Sequence, residues 1–139
     1  MASTVSADLA EIKTYTHEVH DVYAGIAKKI EELIELLNRS DVTSDKVIEQ
    51  LADRILQFLQ EIKSFVKKEK KIARSKRWSE GKKSSFLALI QKELQDINLL
   101  IKELKIERKH PNHQLVKSMY ALNKEIRTIM AAEETELEP

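Results

Sequence analysis

The chain has no cysteine, and its 139 residues include only two glycines, two prolines, one tryptophan and six other aromatic side chains. Without Cys, disulfides, thiolate nucleophiles and Cys-ligated metals are excluded, and the composition fits a cytoplasmic protein. So few Gly and Pro leave little to interrupt long helices. The shortage of aromatics makes the expected core one of Ile and Leu rather than stacked rings. No stretch approaches the roughly 20 apolar residues that cross a bilayer, so no membrane span is expected. The start of the chain lacks a basic stretch followed by an apolar one, and no secretory signal is read there. No Gly-rich phosphate loop and no Ser-His-Asp arrangement is recognisable.

What the chain does have is charge and rhythm. Charged residues make up 34% of it, which suits long solvated helix faces. Apolar residues recur at alternating spacings of four and three. One series runs Leu9, Ile12, Thr16, Val19, Tyr23, Ile26, Ile30, Leu33, Leu37; a second Ile48, Leu51, Ile55, Phe58, Ile62, Phe65, broken at Glu69. A third runs Leu87, Ile90, Leu94, Ile97, Ile101, Leu104, and a fourth Leu115, Met119, Leu122, Ile126, Ile129. A mean repeat of 3.5 keeps one seam of each helix towards its neighbours, as in coiled coils.

The rhythm predicts helices over about 5–38, 44–77, 84–109 and 112–132. Thr4 to Ser6 and Thr43 or Ser44 are candidate caps, and Pro111 ends the third helix. Short connections imply an all-α, antiparallel up-down four-helix bundle with a long first helical hairpin, one domain over 1–132, followed by a flexible acidic tail at 133–139. Gly25 is the one weak point inside the first helix. A second stripe (Tyr15, Val22, Leu36) flanks the first seam, and Leu99 with Leu100 widens the third. Such stripes serve a globular bundle or a self-association face.

The net charge of +1 conceals segregation. Residues 1–66 are net acidic, 67–83 carry nine basic and two acidic side chains, and the tail holds Glu133, Glu134, Glu136 and Glu138. The densest feature is Lys67, Lys68, Lys70, Lys71, Arg74, Lys76, Arg77, Trp78, Lys82 and Lys83. Clustered cations suit phosphate backbones through counterion release, and an exposed Trp stacks on unpaired bases. The competing reading is a solvated helix end that complements the helix dipole and the acidic first helix, with Trp78 covering the bundle end.

His17 and His20 lie within one turn beside Glu18 and Asp21, but a zinc site wants three or four converging ligands and no second cluster supplies them. Of the Glu-x-x-His pairs that di-iron bundles use, only Glu107 with His110 is present, at a helix end. No metal or other cofactor is expected.

Three short motifs resemble known families. Glu18-Val-His20-Asp21 is similar to the Glu-x-His-Asp box of histidine kinase dimerisation hairpins, which implies a phosphorylated His. Arg108 and His113 have the Arg-x4-His spacing of the HEPN superfamily of helical ribonucleases, implying metal-independent RNA cleavage by that pair. Glu31-Glu32-x-x-Glu35 followed by Glu49 and Asp53 resembles the carboxylate pattern of the all-α nucleoside triphosphate pyrophosphatases, which implies bound magnesium; Gln50 stands where that pattern has an acid.

The expected function is that of a small, non-catalytic helical interaction or assembly protein, self-associating as a homo-oligomer or joined to a protein partner through helix packing. The alternative is a nucleic-acid-binding subunit using 67–83, and the third a small ribonuclease or nucleotide pyrophosphatase.

Overall fold

A computed structural model describes residues 2–39, 45–110 and 113–138, with the side chains of 6–39, 46–110 and 114–138. The described residues form four helices and no strand: α1 (Ala2–Asn38), α2 (Asp45–Ser75), α3 (Glu80–Glu107) and α4 (His113–Glu136). They pack in a ring, α1 on α2, α2 on α3, α3 on α4 and α4 on α1. The candidate caps Thr43 and Ser44, and Pro111, lie outside the described residues. No described helix is long and apolar enough to cross a membrane.

Each helix turns a strict four-three register inward. On α1 it is Ile12, Thr16, Val19, Tyr23, Ile26, Ile30, Leu33 and Leu37, all buried as the apolar series predicts. On α2 the inward positions are Ile48, Ala52, Ile55, Leu59, Ile62, Val66, Glu69 and Ala73. That is the expected seam with every second position moved by one residue, which turns its centre by about 50°. Ile48, Ile55 and Ile62 belong to both registers; Ala52, Leu59 and Val66 point in where Leu51, Phe58 and Phe65 were expected, and Phe65 is left 43% exposed. The smaller set lets α2 approach its neighbours, and the aromatic rings cover the edge of the contact.

On α3 the register is Phe86, Ile90, Glu93, Ile97, Leu100, Leu104 and Glu107; on α4 it is Val116, Met119, Asn123, Ile126, Met130, Glu133 and Leu137. Polar residues thus occupy core positions on every helix.

Three boundaries differ from expectation by three residues or more. Helix α1 begins at Ala2 rather than 5, so the candidate caps Thr4 to Ser6 lie inside it. Helix α3 begins at Glu80 rather than 84, directly after a short 76–79 link. The Lys83 N–H donates to the Ser79 carbonyl at 2.7 Å, closing the first turn. Gly81 falls inside that turn, where it weakens the helix without breaking it. The tail expected to be flexible from 133 is instead the last turn of α4. Glu133 and Leu137 are fully buried, and the Leu137 N–H donates to the Glu133 carbonyl at 3.2 Å. Burying one Leu side chain is worth roughly 1.5–3 kcal/mol, enough to hold a terminal turn that charge alone would fray.

Candidate functional site

Five polar side chains, four of them at core positions, meet at one level. Thr16 and His20 come from α1, Glu69 from α2, Glu93 from α3 and Glu133 from α4. His20 Nε2 lies 2.9 Å from Glu133 Oε1, and Thr16 Oγ1 donates to Glu69 Oε2 at 2.7 Å. One donor atom each of His20, Glu93 and Glu133 lies within 4.8 Å of the others. The carboxylates of Glu69, Glu93 and Glu133 are essentially inaccessible, and the His20 side chain is 10% exposed. Both oxygens of Glu93, Oε1 of Glu69, Oε2 of Glu133 and Nδ1 of His20 have no hydrogen-bond partner.

Three buried carboxylates with so few donors cannot all be ionised. Burial, reinforced by Glu133, Glu69 and Asp96, holds the Glu93 carboxyl well above the usual carboxylate range. Glu133 is pushed up to about 8 by burial and by the charge of Glu69. Burial also raises Glu69, with the Thr16 hydroxyl and His20 pulling the other way. The same desolvation lowers His20 against the pull of Glu69 and Glu134. Outside the cluster, Glu134 Oε1 stands 3.7 Å from His20 Nδ1 and 3.2 Å from His17 Nε2. Nearby, the buried Tyr23 hydroxyl donates to Asn123 Oδ1 at 2.7 Å.

A depression of about 130 Å³ between α1 and α4 reaches His20 from the surface, bordered by Tyr23, Ala24, Arg127, Met130 and Glu134.

The cations of the basic segment differ in their surroundings. Lys67, Lys68, Lys71, Arg74 and Arg77 are exposed, whereas Lys70 donates to Gln91 at 2.8 Å and Lys76 Nζ pairs with Glu11 at 2.8 Å. Lys82 and Lys83 donate to the carbonyls of Glu138 and Lys76. Trp78 is 7% exposed: its Nε1–H donates to the Ala73 carbonyl at 3.1 Å and its ring meets Phe86 edge-on at 5.3 Å. It caps the α2–α3 end and offers no face to a base.

The short motifs disperse. Arg108 pairs with Asp53 at 2.7 Å, and the side chain of His113 lies outside the described residues. Glu31 pairs with Arg127, and Glu35 with Arg39. Among the described residues, the carboxylates at 31–35 and 49–53 form no group of three with His or acid. His20 of the Glu-x-His-Asp box points inward to Glu133.

One further surface feature stands out. On the outside of the α1–α2 contact, Tyr15 and Val22 on α1 face Phe65 on α2, with Glu18, Val19 and Lys68 completing a groove of about 260 Å³. The Tyr15 hydroxyl donates across it to the Phe65 carbonyl at 3.2 Å. Lys68 lays its ammonium over the Tyr15 ring at 5.8 Å, and Lys29 over Phe58 at 5.9 Å.

Comparison with protein families, with curated proteins and with solved structures finds no match to this chain. Function therefore rests on the geometry.

Proposed function

We propose that the protein is a non-catalytic interaction module, an up-down antiparallel bundle that receives an amphipathic helix of a protein partner along the α1–α2 groove. The antiparallel order of α1 and α2 is supported by the pairs Asp8 with Arg77, Glu11 with Lys76 and Thr16 with Glu69, whose numbers run in opposite directions. The observation that carries the reading is the pair of apolar edges left outside the core. Tyr15 and Val22 are seven apart on α1, and Phe58, Phe65 and Ile72 are each seven apart on α2. Val22 is 46% and Phe65 43% exposed, while Tyr15, Phe58 and Ile72 are half-buried. Edges with a seven-residue period suit one further helix laid lengthwise, meeting them at i, i+3, i+4 and i+7. Lys29 stands over the Phe58 ring and Lys68 over the Tyr15 ring. The matching partner helix flanks its apolar stripe with Asp and Glu.

The test is calorimetric titration with a synthetic helical peptide carrying a Leu heptad stripe and acidic flanks. Binding is expected, with loss of at least tenfold in affinity for Phe65→Glu or Val22→Glu and weaker binding to a peptide with Lys flanks. Equal binding by the wild type and both variants refutes the groove. Salt-sensitive retention on heparin that falls on neutralising Lys67, Lys71, Arg74 and Arg77, with no peptide binding, would instead favour the nucleic-acid reading.

A further inference from the structure

We infer that His20, Glu69, Glu93 and Glu133 form a binding site for one divalent transition-metal ion, which cross-braces all four helices. The cluster is more than a concentration of acids. Glu93 is fully buried on the inward register of α3, its two oxygens have no donor, and it faces the imidazole of His20 and the carboxylate of Glu133. A buried carboxylate so placed calls for a proton or a cation.

The donor set favours a cation of a definite class. Three carboxylate oxygens and one imidazole nitrogen suit Mn²⁺, Fe²⁺, Co²⁺ or Zn²⁺, whereas Mg²⁺ and Ca²⁺ prefer oxygen alone. Ligands about 2.1 Å from a tetrahedral centre stand roughly 3.4 Å apart. His20 and Glu133 are already closer than this at 2.9 Å, and Glu93 lies within 4.8 Å of both. Small rotamer adjustments therefore bring the three donors onto one ion; Glu69, outside that group of three, supplies the fourth through its unbonded Oε1 after a larger turn of its side chain.

Supporting groups are in place. Thr16 holds Glu69 by a hydrogen bond, as ligating carboxylates require. With Nε2 turned to the cluster, His20 presents Nδ1 towards Glu134 at 3.7 Å, so that a small turn of the Glu134 side chain on metal binding lets this outer carboxylate accept the Nδ1–H and orient the imidazole. The α1–α4 depression beside His20 is the route by which the ion arrives. A dication offsets two of the three carboxylate charges, and the remaining one is met by a retained proton. Because four protein donors fill the sphere, the ion is structural rather than catalytic.

The proposal is independent of the partner groove, which lies on the α1–α2 face. Its test uses the full chain stripped with a chelator and titrated with Co²⁺ alone, then Zn²⁺. The expected result is one Co²⁺ per chain with tetrahedral visible absorption, and a melting temperature raised by about 8–14 °C when Zn²⁺ exceeds its dissociation constant a hundredfold. His20→Gln and Glu93→Gln, each checked for folding in chelator, should bind more than 100-fold more weakly. Glu134→Gln should lose roughly 10–100-fold as a positioning residue. His17→Ala should bind as the wild type does. No uptake by the wild type, or uptake unchanged in both His20→Gln and Glu93→Gln, overturns the site and assigns any bound ion to the surface.

Discussion

Replacing Glu93 by leucine should stabilise the metal-free protein. Glu93 sits between Ile90 and Ile97 on the inward register of α3, fully buried, with neither oxygen bonded. Leucine continues that apolar register at similar bulk and removes the charge that burial strands. Exchanges of buried ionic groups for packed apolar ones give about 1–4 kcal/mol. In a chain of this size each kcal/mol moves the melting temperature by roughly 3–5 °C, so a rise of about 3–20 °C is expected near pH 8.

The gain should depend on pH with a definite sign. Glu93, Glu133 and Glu69 all have carboxyls raised above their ordinary value of 4.5, Glu133 to about 8. Above pH 4.5 the folded chain therefore holds protons that the unfolded chain has released, so wild-type stability falls as pH rises towards 8. Glu133 alone accounts for at most about 5 kcal/mol of that fall, less to the extent that its proton is shared with Glu93. His20, lowered from 6.5 by burial, works the other way at the acid end, where the unfolded chain binds the extra proton. Asp96 on α3 and Glu134 on α4 are the other acids acting on Glu93 and Glu133, and they add to the repulsion. The advantage of Glu93→Leu over the wild type is thus smallest near pH 5 and largest near pH 8. Urea unfolding followed by circular dichroism in chelator at pH 5, 6.5 and 8 measures it. A variant less stable than the wild type at pH 8, or a difference constant across the three pH values, refutes the reasoning.

Three further outcomes follow from the packing. Gly25→Ala should stabilise by about 0.5–1 kcal/mol in thermal melts, because the site is mid-helix and a Cβ there meets nothing within 4 Å. Leu137→Ala should cost about 2–3 kcal/mol in urea unfolding and raise amide exchange through the last turn of α4, since Leu137 anchors it from a fully buried position. Trp78→Ala should cost about 3–5 kcal/mol and leave heparin retention unchanged, because the indole packs on Phe86 rather than facing solvent.

Much of the fold was legible and little of the site was. The α1 series from Ile12 to Leu37 is buried as its spacing requires, since a repeat of 3.5 admits one inward face. On α2 the isoleucines are common to two registers, and periodicity does not choose between Phe58 with Phe65 and Leu59 with Val66. Only neighbours with limited room decide that the smaller pair goes inside. The acidic cluster is hidden in the sequence because Glu69 interrupts an apolar series and Glu133 opens a run of acids at the end of the fourth helix. Part of a signal was present: the four-three registers read from the sequence include Thr16, Glu69 and, four beyond Ile129, Glu133, whereas they pass through Leu94 and Leu122 rather than Glu93 and Asn123. Periodicity marks Thr16, Glu69 and Glu133 as inward, but it does not say that they share a level.

What the residue order determined by itself is local: four long helices, each with one inward face, because apolar spacing and scarce Gly and Pro act within a single helix. What the tertiary structure alone decided is which inward residues meet. His20 and Glu133 are 113 positions apart, and their 2.9 Å contact depends on the relative height and rotation of α1 and α4. Those are set by the packing of every side chain between them, a sum over the whole core that no one segment carries.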